Sequence, residues 1–132
     1  GEDDPYAPPP SKGEEGVEYV FGESGSEYRT AYYEFEGEFT SNLRNSEAMV
    51  QLALAASTQR DGRVLMWLDK HELAIRSQLL VDIDDAEGAA IVTPEGKVAL
   101  QARMVASINR VLTEREGFGG VDAVYFRNFI VQ

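Results

Sequence analysis

The sequence contains no cysteine and a single histidine, His71. Without cysteine the chain forms no disulfide, offers no thiolate ligand to zinc and has no thiol nucleophile. A metal site built on two histidines is excluded as well. His71 lies four residues after Trp67, the only tryptophan, and a ring packed beside that indole is a simpler interpretation than catalysis. We therefore expect no catalytic residue, no metal ligand set and no cofactor.

Long apolar runs are also absent. No stretch approaches the roughly 18 residues that cross a bilayer, and no signal peptide opens the sequence. The 132 residues, 43% of them hydrophobic, suffice for one compact domain with a tail. The sequence begins with glycine and a ragged acidic stretch, which is compatible with a membrane anchor upstream of it.

Basic residues are scarce, and the acidic excess is uneven. The formal net charge is -11, of which residues 1–38 carry -9 and residues 39–132 carry -2. A nearly neutral body supplies no basic patch for phosphate groups, so nucleic acid is not expected as a partner. An anionic membrane surface would repel the acidic N-terminal part, which would hold the body away from the bilayer.

Composition divides the chain into three parts. Residues 1–16 contain three consecutive prolines and five acids, which predicts a disordered, acidic, proline-rich linker. Residues 17–31 are predicted to be a flexible segment that includes a short edge strand near its start. Residues 32–132 are predicted to form the folded domain.

Alternating apolar residues predict the strands of this domain. One strand begins near Tyr33, and residues 49–58 predict a second strand antiparallel to it. Strict alternation over residues 121–132 places large apolar side chains on both faces, namely Val124, Phe126 and Ile130 on one and Tyr125, Phe129 and Val131 on the other. A strand that is apolar on both faces belongs inside a sheet, so we expect this segment to lie mid-sheet.

Two long helices are predicted between the second and the last strand. The first runs from about residue 62 to residue 80 with Asp61 as N-cap. The second begins at Pro94 after the N-cap Thr93, reaches about Arg115 and ends at the glycine-rich residues 117–120. The expected fold class is α+β, with a mixed, mainly antiparallel sheet and two long helices.

Each helix has two apolar stripes. The main stripes, expected to lie on the sheet, are Val64, Leu68, Ile75 and Leu79 on the first helix and Val98, Ala102, Val105, Ile108 and Leu112 on the second. One sheet cannot also cover the second stripes, so the helices either pack on one another or contact another molecule. The predicted subunit or partner interface is therefore the set Met66, Leu73, Leu80, Leu100, Met104 and Val111.

Two other site hypotheses have weaker support. A small-ligand-binding or hydrolytic domain would need a pocket between sheet and helices, with Glu34, Glu36 or His71 at its mouth. A calcium site would use the acidic loop between the helices. That loop lacks the EF-hand pattern, because Ala86 occupies the third ligand position, and a solvated loop is the simpler interpretation. Its acids are Asp82, Asp84, Asp85 and Glu87.

Several strings resemble one family over about residues 32–132. They are Phe39-Thr-Ser-Asn42-Leu43, Ile75-Arg76, Glu95-Gly96-Lys97, Ile108-Asn109 and the C-terminal Val124-Tyr-Phe-Arg-Asn-Phe-Ile-Val-Gln132. Together they resemble the periplasmic domain of FliL, the flagellar basal-body-associated protein. The resemblance implies a fold similar to the stomatin and prohibitin (SPFH) domain, a mixed sheet carrying helices.

The same resemblance implies a function and a location. Family members are non-enzymatic accessories of the bacterial flagellar motor, held in the inner membrane by an N-terminal transmembrane helix with the domain on the periplasmic side. They associate with stator subunits, support torque and motility under load, and form rings. This sequence departs from the family in the acidic loop at residues 82–87, where relatives are richer in serine, threonine and lysine.

Overall fold

The computed structural model describes residues 17–20 and 29–132, so the predicted linker 1–16 lies outside the described residues. Within these ranges five strands and four helices follow one another: β1 (Val17–Val20), β2 (Thr30–Glu34), β3 (Phe39–Asn42), β4 (Met49–Thr58), α1 (Arg63–Lys70), α2 (Glu72–Asp84), α3 (Gly88–Ile91), α4 (Pro94–Glu116) and β5 (Ala123–Val131). Every pairing between these strands is antiparallel. The predicted α+β class and mainly antiparallel sheet are confirmed.

The strand β4 is the centre of the sheet. Along one edge its C-terminal half pairs with β2 and its N-terminal half pairs with β3. Along the other edge it pairs with β5. β1 pairs with β2 at the outer end. Alternation within β4 puts mainly large apolar residues on the core face and the small or polar residues Gln51, Ala53, Ala55 and Ser57 on the other. The core-face residues are Val50, Leu52, Leu54 and Ala56.

The first predicted strand is interrupted. Gly37 has a φ of 62°, a left-handed conformation that glycine adopts without strain, and residues 35–38 join β2 to β3 without strand pairing. The buried face nevertheless continues across the interruption, because Tyr33, Phe35, Phe39 and Leu43 are all buried.

The expectation that the C-terminal strand lies mid-sheet is wrong. Within the described residues β5 pairs with β4 alone, so it forms an edge. The physical reason is a bulge: Leu54 pairs with Phe126 and Ala53 with Asn128, which leaves Arg127 as an extra residue. The bulge reverses the alternation after it. Four of the six apolar residues therefore share the core face, because Val124, Phe126, Phe129 and Val131 each pair with a core-face residue of β4, whereas Tyr125 and Ile130 lie on the other face.

The first predicted helix is two helices. The N-cap is Gly62 and not the predicted Asp61, although Asp61 Oδ1 accepts a hydrogen bond of 2.9 Å from the amide of Arg63. His71 leaves helical geometry at φ -107° and ψ 20° and separates α1 from α2. α2 then continues to Asp84, past the predicted end at residue 80, and the short α3 fills part of the predicted connection.

The ends of α4 agree with their prediction. Thr93 Oγ1 accepts a hydrogen bond of 2.9 Å from the amide of Gly96, Pro94 is the first helical residue, and Gly117 closes the helix at φ 80°.

The predicted main stripe of α4 is wrong in its first half: Val98 is 64% exposed and Ala102 is exposed. The longer side chains of the other stripe bury more apolar area and take the core-facing side.

Candidate interaction surfaces and polar sites

The six residues predicted as an interface fall into two groups. Leu100, Met104 and Val111 on α4 are buried in the core of this chain, which corrects that half of the predicted stripe, because residues inside a folded core cannot meet a partner. On α1 and α2, Met66 is 41% exposed and Leu73 is 84% exposed, while Leu80 is half-buried. Contact of these three with a subunit or partner stays a prediction.

The open edge and outer face of β5 form a second surface. Tyr125 and Ile130, on the face away from the helices, are each 42% exposed. Arg127, the bulge residue, reaches across β4 so that its Nε lies 2.7 Å from Glu34 Oε1 on β2. The ring of Tyr125 also packs at a tilt of 57° against the ring of Tyr32, with the centroids 5.8 Å apart. This surface combines exposed apolar groups with an unpaired backbone edge among the described strands.

His71 links the helix break to the end of α4. Its Nε2 lies 2.6 Å from Glu116 Oε2, and Lys70 Nζ lies 3.0 Å from the same oxygen. The hydrogen bond with His71, followed by that from Lys70, lowers the pKa of the Glu116 carboxyl. Trp67 packs edge-on against Phe118 at 6.0 Å. The structure thus gives His71 a carboxylate partner at a junction between helices.

Tyr33 joins the sheet to α2. Its side chain is buried, and its hydroxyl donates a hydrogen bond to Glu72 and lies 3.4 Å from Asp69 Oδ1. Burial, followed by the hydrogen bond to Glu72, raises the pKa of the Tyr33 hydroxyl strongly. Both the burial and the carboxylate disfavour the phenolate, so Tyr33 acts as a structural donor.

The acidic loop is held by two arginines. Asp85 accepts 2.8 Å from Arg103 Nη1 and 3.0 Å from Arg44 Nη1, and these hydrogen bonds, Arg103 first, lower the pKa of the Asp85 carboxyl. Arg103 Nε also donates to Asp82 Oδ1 at 3.1 Å. The pairing with Asp85 raises the pKa of Arg103. The loop is therefore anchored to α4 and is not a free solvated segment.

The side chain of Asp82 is completely buried, although the sequence pattern predicts a solvated loop at this position. The helical spacing indicates this burial. Asp82 lies seven residues after Ile75 and four after Gln78, so it continues the buried stripe of Ile75 and Leu79 beyond the predicted end of the helix. A charged residue on the buried face of a helix needs a partner. Asp82 also lines a cavity of about 200 Å³ between α2, α3 and α4.

The residues named for a ligand-binding or hydrolytic site do not come together. Glu34 is paired with Arg127, and His71 with Glu116. The backbone amide of Glu36 donates to Glu72 Oε2 at 3.3 Å, and its side chain is exposed. The cavity is lined by none of Glu34, Glu36 or His71.

Two features are absent from residues 17–20 and 29–132. In these ranges no group of three or more histidine, aspartate or glutamate side chains is placed to hold a metal ion. No helix in the same ranges combines the length and the apolar content that a bilayer crossing requires.

The fold and its surfaces define the class of protein, a small α+β domain that presents an apolar helical surface and an open sheet edge.

Comparison with known proteins gives the family. Residues 32–132 match the family of the flagellar basal body-associated protein FliL. The flagellar protein FliL of Aquifex aeolicus (strain VF5) is 32% identical over 101 residues, which are 76% of this chain and 60% of that relative. The chain therefore belongs to the FliL family, which has an accessory role in the flagellum. It spans 60% of the length of the relative that it matches.

Proposed function

We propose that this chain is a non-enzymatic accessory of the flagellar motor that associates with stator subunits and supports torque and motility under load. The observation that carries the proposal is the family match over residues 32–132, which include nearly all of the described domain. The alternative of a ligand-binding or hydrolytic domain has less support, because Glu34 and His71 are each paired with a charged residue away from the cavity.

The proposed location is the periplasmic side of the inner membrane, with a transmembrane helix on the N-terminal side of residue 1. The distribution of charge supports this arrangement, since residues 1–28 carry -7 and residues 29–132 carry -4. A negative, proline-rich spacer is repelled by anionic lipid and favours an extended chain. The domain would then stand away from the bilayer, where it can meet the periplasmic part of a stator.

Self-association into a ring is part of the same proposal, as is a fold similar to the stomatin and prohibitin domain. A ring needs two different surfaces on each subunit that meet head to tail. The exposed residues Met66 and Leu73 on the helical side supply one such surface. The outer edge of β5, on the sheet, supplies a second one of different character. Each surface carries apolar area that a partner would cover.

The test of function is motility of a strain that lacks the gene, measured in soft agar and in medium of raised viscosity. We expect slower spreading in both and a larger loss at high viscosity, because the proposed role concerns torque under load. Restoration by the wild-type gene is the control. Normal swimming of the deletion strain at high viscosity would contradict the proposal.

The test of the ring is photo-crosslinking in cells. A photoreactive residue at position 73, on the exposed side of α2, should give a ladder of crosslinked multimers. The same residue at position 114, on the exposed side of α4, is the matched control and should give fewer. A monomer band alone at position 73, in cells that swim normally, would remove this surface from the interface.

A further inference from the structure

The edge of β5 that faces away from β4 presents backbone groups to the outside. Gln132 and Met49 exchange two backbone hydrogen bonds, of 2.8 and 2.9 Å. In an antiparallel strand the backbone groups of successive residues point alternately toward the neighbouring strand and away from it, so those of Phe129 and Val131 point outward. Because β5 pairs with β4 alone in the part of the chain that the structure describes, these donors and acceptors can pair with a further strand.

The opposite side of the sheet is covered at the corresponding places. β1 pairs with the outer edge of β2. In the connection between β2 and β3, the guanidinium of Arg76 donates to the backbone carbonyls of Glu36 and Glu38. Such pairing and capping protect a sheet edge from association. No described residue protects the edge of β5 in this way, which makes it the better candidate for strand addition.

An apolar stripe on α4 lies on the side of the helix that faces this edge. The contacts of α4 define that side: Lys97 Nζ lies 4.6 Å from the ring centroid of Phe129, and the side-chain amide of Asn109 makes hydrogen bonds of 3.0 and 2.9 Å with the backbone of Val121. Helical spacing places the stripe around the line between these two contacts. Its members are Val98, which is 64% exposed, Ala102, which is exposed, and Val105, which is half-buried. A strand added to β5 would lie below this stripe and cover it.

The charge at the edge favours a partner with a carboxylate. Lys97 is half-buried over the ring of Phe129, and it forms no ion pair with any residue in ranges 17–20 and 29–132. Arg127, the basic residue of β5 itself, already lies 2.7 Å from Glu34 on the outer face of the sheet. An ammonium that is partly withdrawn from water attracts a carboxylate more strongly than an exposed one does. Lys97 therefore complements an acidic residue placed beside Phe129.

We propose that β5 accepts an extended segment of another protein as a further antiparallel strand, with apolar side chains against the α4 stripe and a carboxylate at Lys97. An extended chain is required because a helix cannot pair with the outward amides and carbonyls of Phe129 and Val131. The antiparallel direction matches every other pairing in this sheet. The ring neighbour would then contact the outer face of β5, at Tyr125 and Ile130. This inference does not rest on the flagellar assignment.

The test uses the synthetic peptide acetyl-Thr-Val-Thr-Glu-Thr-Val-Thr-amide and the purified protein, followed by NMR of backbone amides. We expect saturable shifts along β5 and the first half of α4, with a Kd of about 1 mM. The same peptide with N-methyl groups on the first valine and the glutamate keeps its side chains and loses two donors, so it should bind at least about tenfold more weakly. Equal binding of the two peptides would exclude strand pairing and overturn the proposal.

Two pairs of variants test the edge and the charge separately. Val131→Pro removes an outward amide and leaves the ladder to β4 intact, so it should weaken binding at least about tenfold. Val131→Ala keeps the amide and is the control. Lys97→Gln should weaken binding of the glutamate peptide about fivefold and leave binding of its glutamine analogue unchanged.

Three results would contradict this assignment of the edge. Wild-type affinity in Val131→Pro would show that the outward amide is not used. An equal effect of Lys97→Gln on the glutamate and glutamine peptides would remove the carboxylate from the proposal. Shifts of β5 amides on dilution of the protein without peptide would assign the edge to a second copy of this chain and not to another protein.

Discussion

Tyr33 on β2 donates a hydrogen bond from its buried hydroxyl to Glu72 in the first turn of α2. This contact fixes the helix that follows the break at His71 against the strand that pairs with β4. A buried donor that serves a carboxylate is among the stronger hydrogen bonds in a small domain. Removing the Tyr33 hydroxyl should therefore lower the stability of the domain.

Tyr33→Phe should lower the free energy of unfolding by about 2 kcal/mol, because the carboxylate of Glu72 loses a buried donor. Urea unfolding followed by circular dichroism measures it. The control is Tyr125→Phe, which removes a hydroxyl 3.4 Å from Ser57 Oγ at an exposed position and should cost less than about 0.5 kcal/mol. Equal losses in the two variants would show that the contact does not stabilise the domain.

Gly96→Ala should be strongly destabilising. A Cβ at position 96 would lie 1.9 Å from the carbonyl oxygen of Ala90, so α3 and the start of α4 would have to move apart, at a cost of about 3 kcal/mol. The matched control is Gly117→Ala, where φ is 80° but the space is open. There we expect only the cost of a left-handed alanine, about 1 kcal/mol. A smaller effect at Gly96 than at Gly117 would refute the close approach.

Leu73 and Met104 belonged to the same predicted interface and should now behave differently. Met104 is fully buried, so Met104→Ala should cost about 3 kcal/mol through lost packing and a cavity. Leu73 is 84% exposed, so Leu73→Glu should change the free energy of unfolding by less than about 0.5 kcal/mol. Thermal and urea unfolding at a dilution that keeps the protein monomeric decide this. Cooperative loss of structure in Leu73→Glu would mean that the residue is packed.

Glu116 predicts a contribution to stability that depends on pH. Its pKa in the folded state lies below the ordinary 4.5, chiefly through the hydrogen bond with His71. The folded state thus holds the proton less readily than the unfolded state. The stabilisation is present above about pH 4.5 and is lost as pH falls through the lowered pKa. Glu116→Gln should therefore be less stable than the wild type near neutral pH, and the difference should shrink in acid.

Unfolding by urea from about pH 6 to pH 2.5 measures this difference. The control is the same substitution in a His71→Asn background. There the difference should be smaller and less dependent on pH, because the principal partner of the carboxylate is gone. If the difference in unfolding free energy between the wild type and Glu116→Gln stays constant down to the lowest pH, the His71 contact does not have this role.

The sequence predicts the ends of α4 well and the position of β5 badly, for different physical reasons. Helix ends are local: Thr93, Pro94 and Gly117 act within a few residues of themselves, and their effects depend little on the rest of the chain. The position of a strand in a sheet depends on pairing with distant residues. A single extra residue, Arg127, reverses the alternation on which the mid-sheet prediction rested.

The candidate sites show the same distinction. The exposed apolar residues Met66 and Leu73 followed from helical spacing, whereas Leu100 and Met104 were assigned to the wrong side because α4 has more apolar residues than one face holds. The pairing of Asp82 with Arg103 joins residues on two helices, so no local pattern reveals it. Asp82 itself was within reach, since it continues the buried stripe of α2.

The place of β5 in the sheet has a consequence for folding during synthesis. β4 is complete only when β5 covers its second edge, and the whole of α1 to α4 lies between the two strands in the chain. A ribosome that has released all four helices therefore still holds the strand that finishes the sheet. Until then the edge of β4 that carries Leu52 and Leu54 has no partner strand, and an unpaired edge of this kind is open to misassociation.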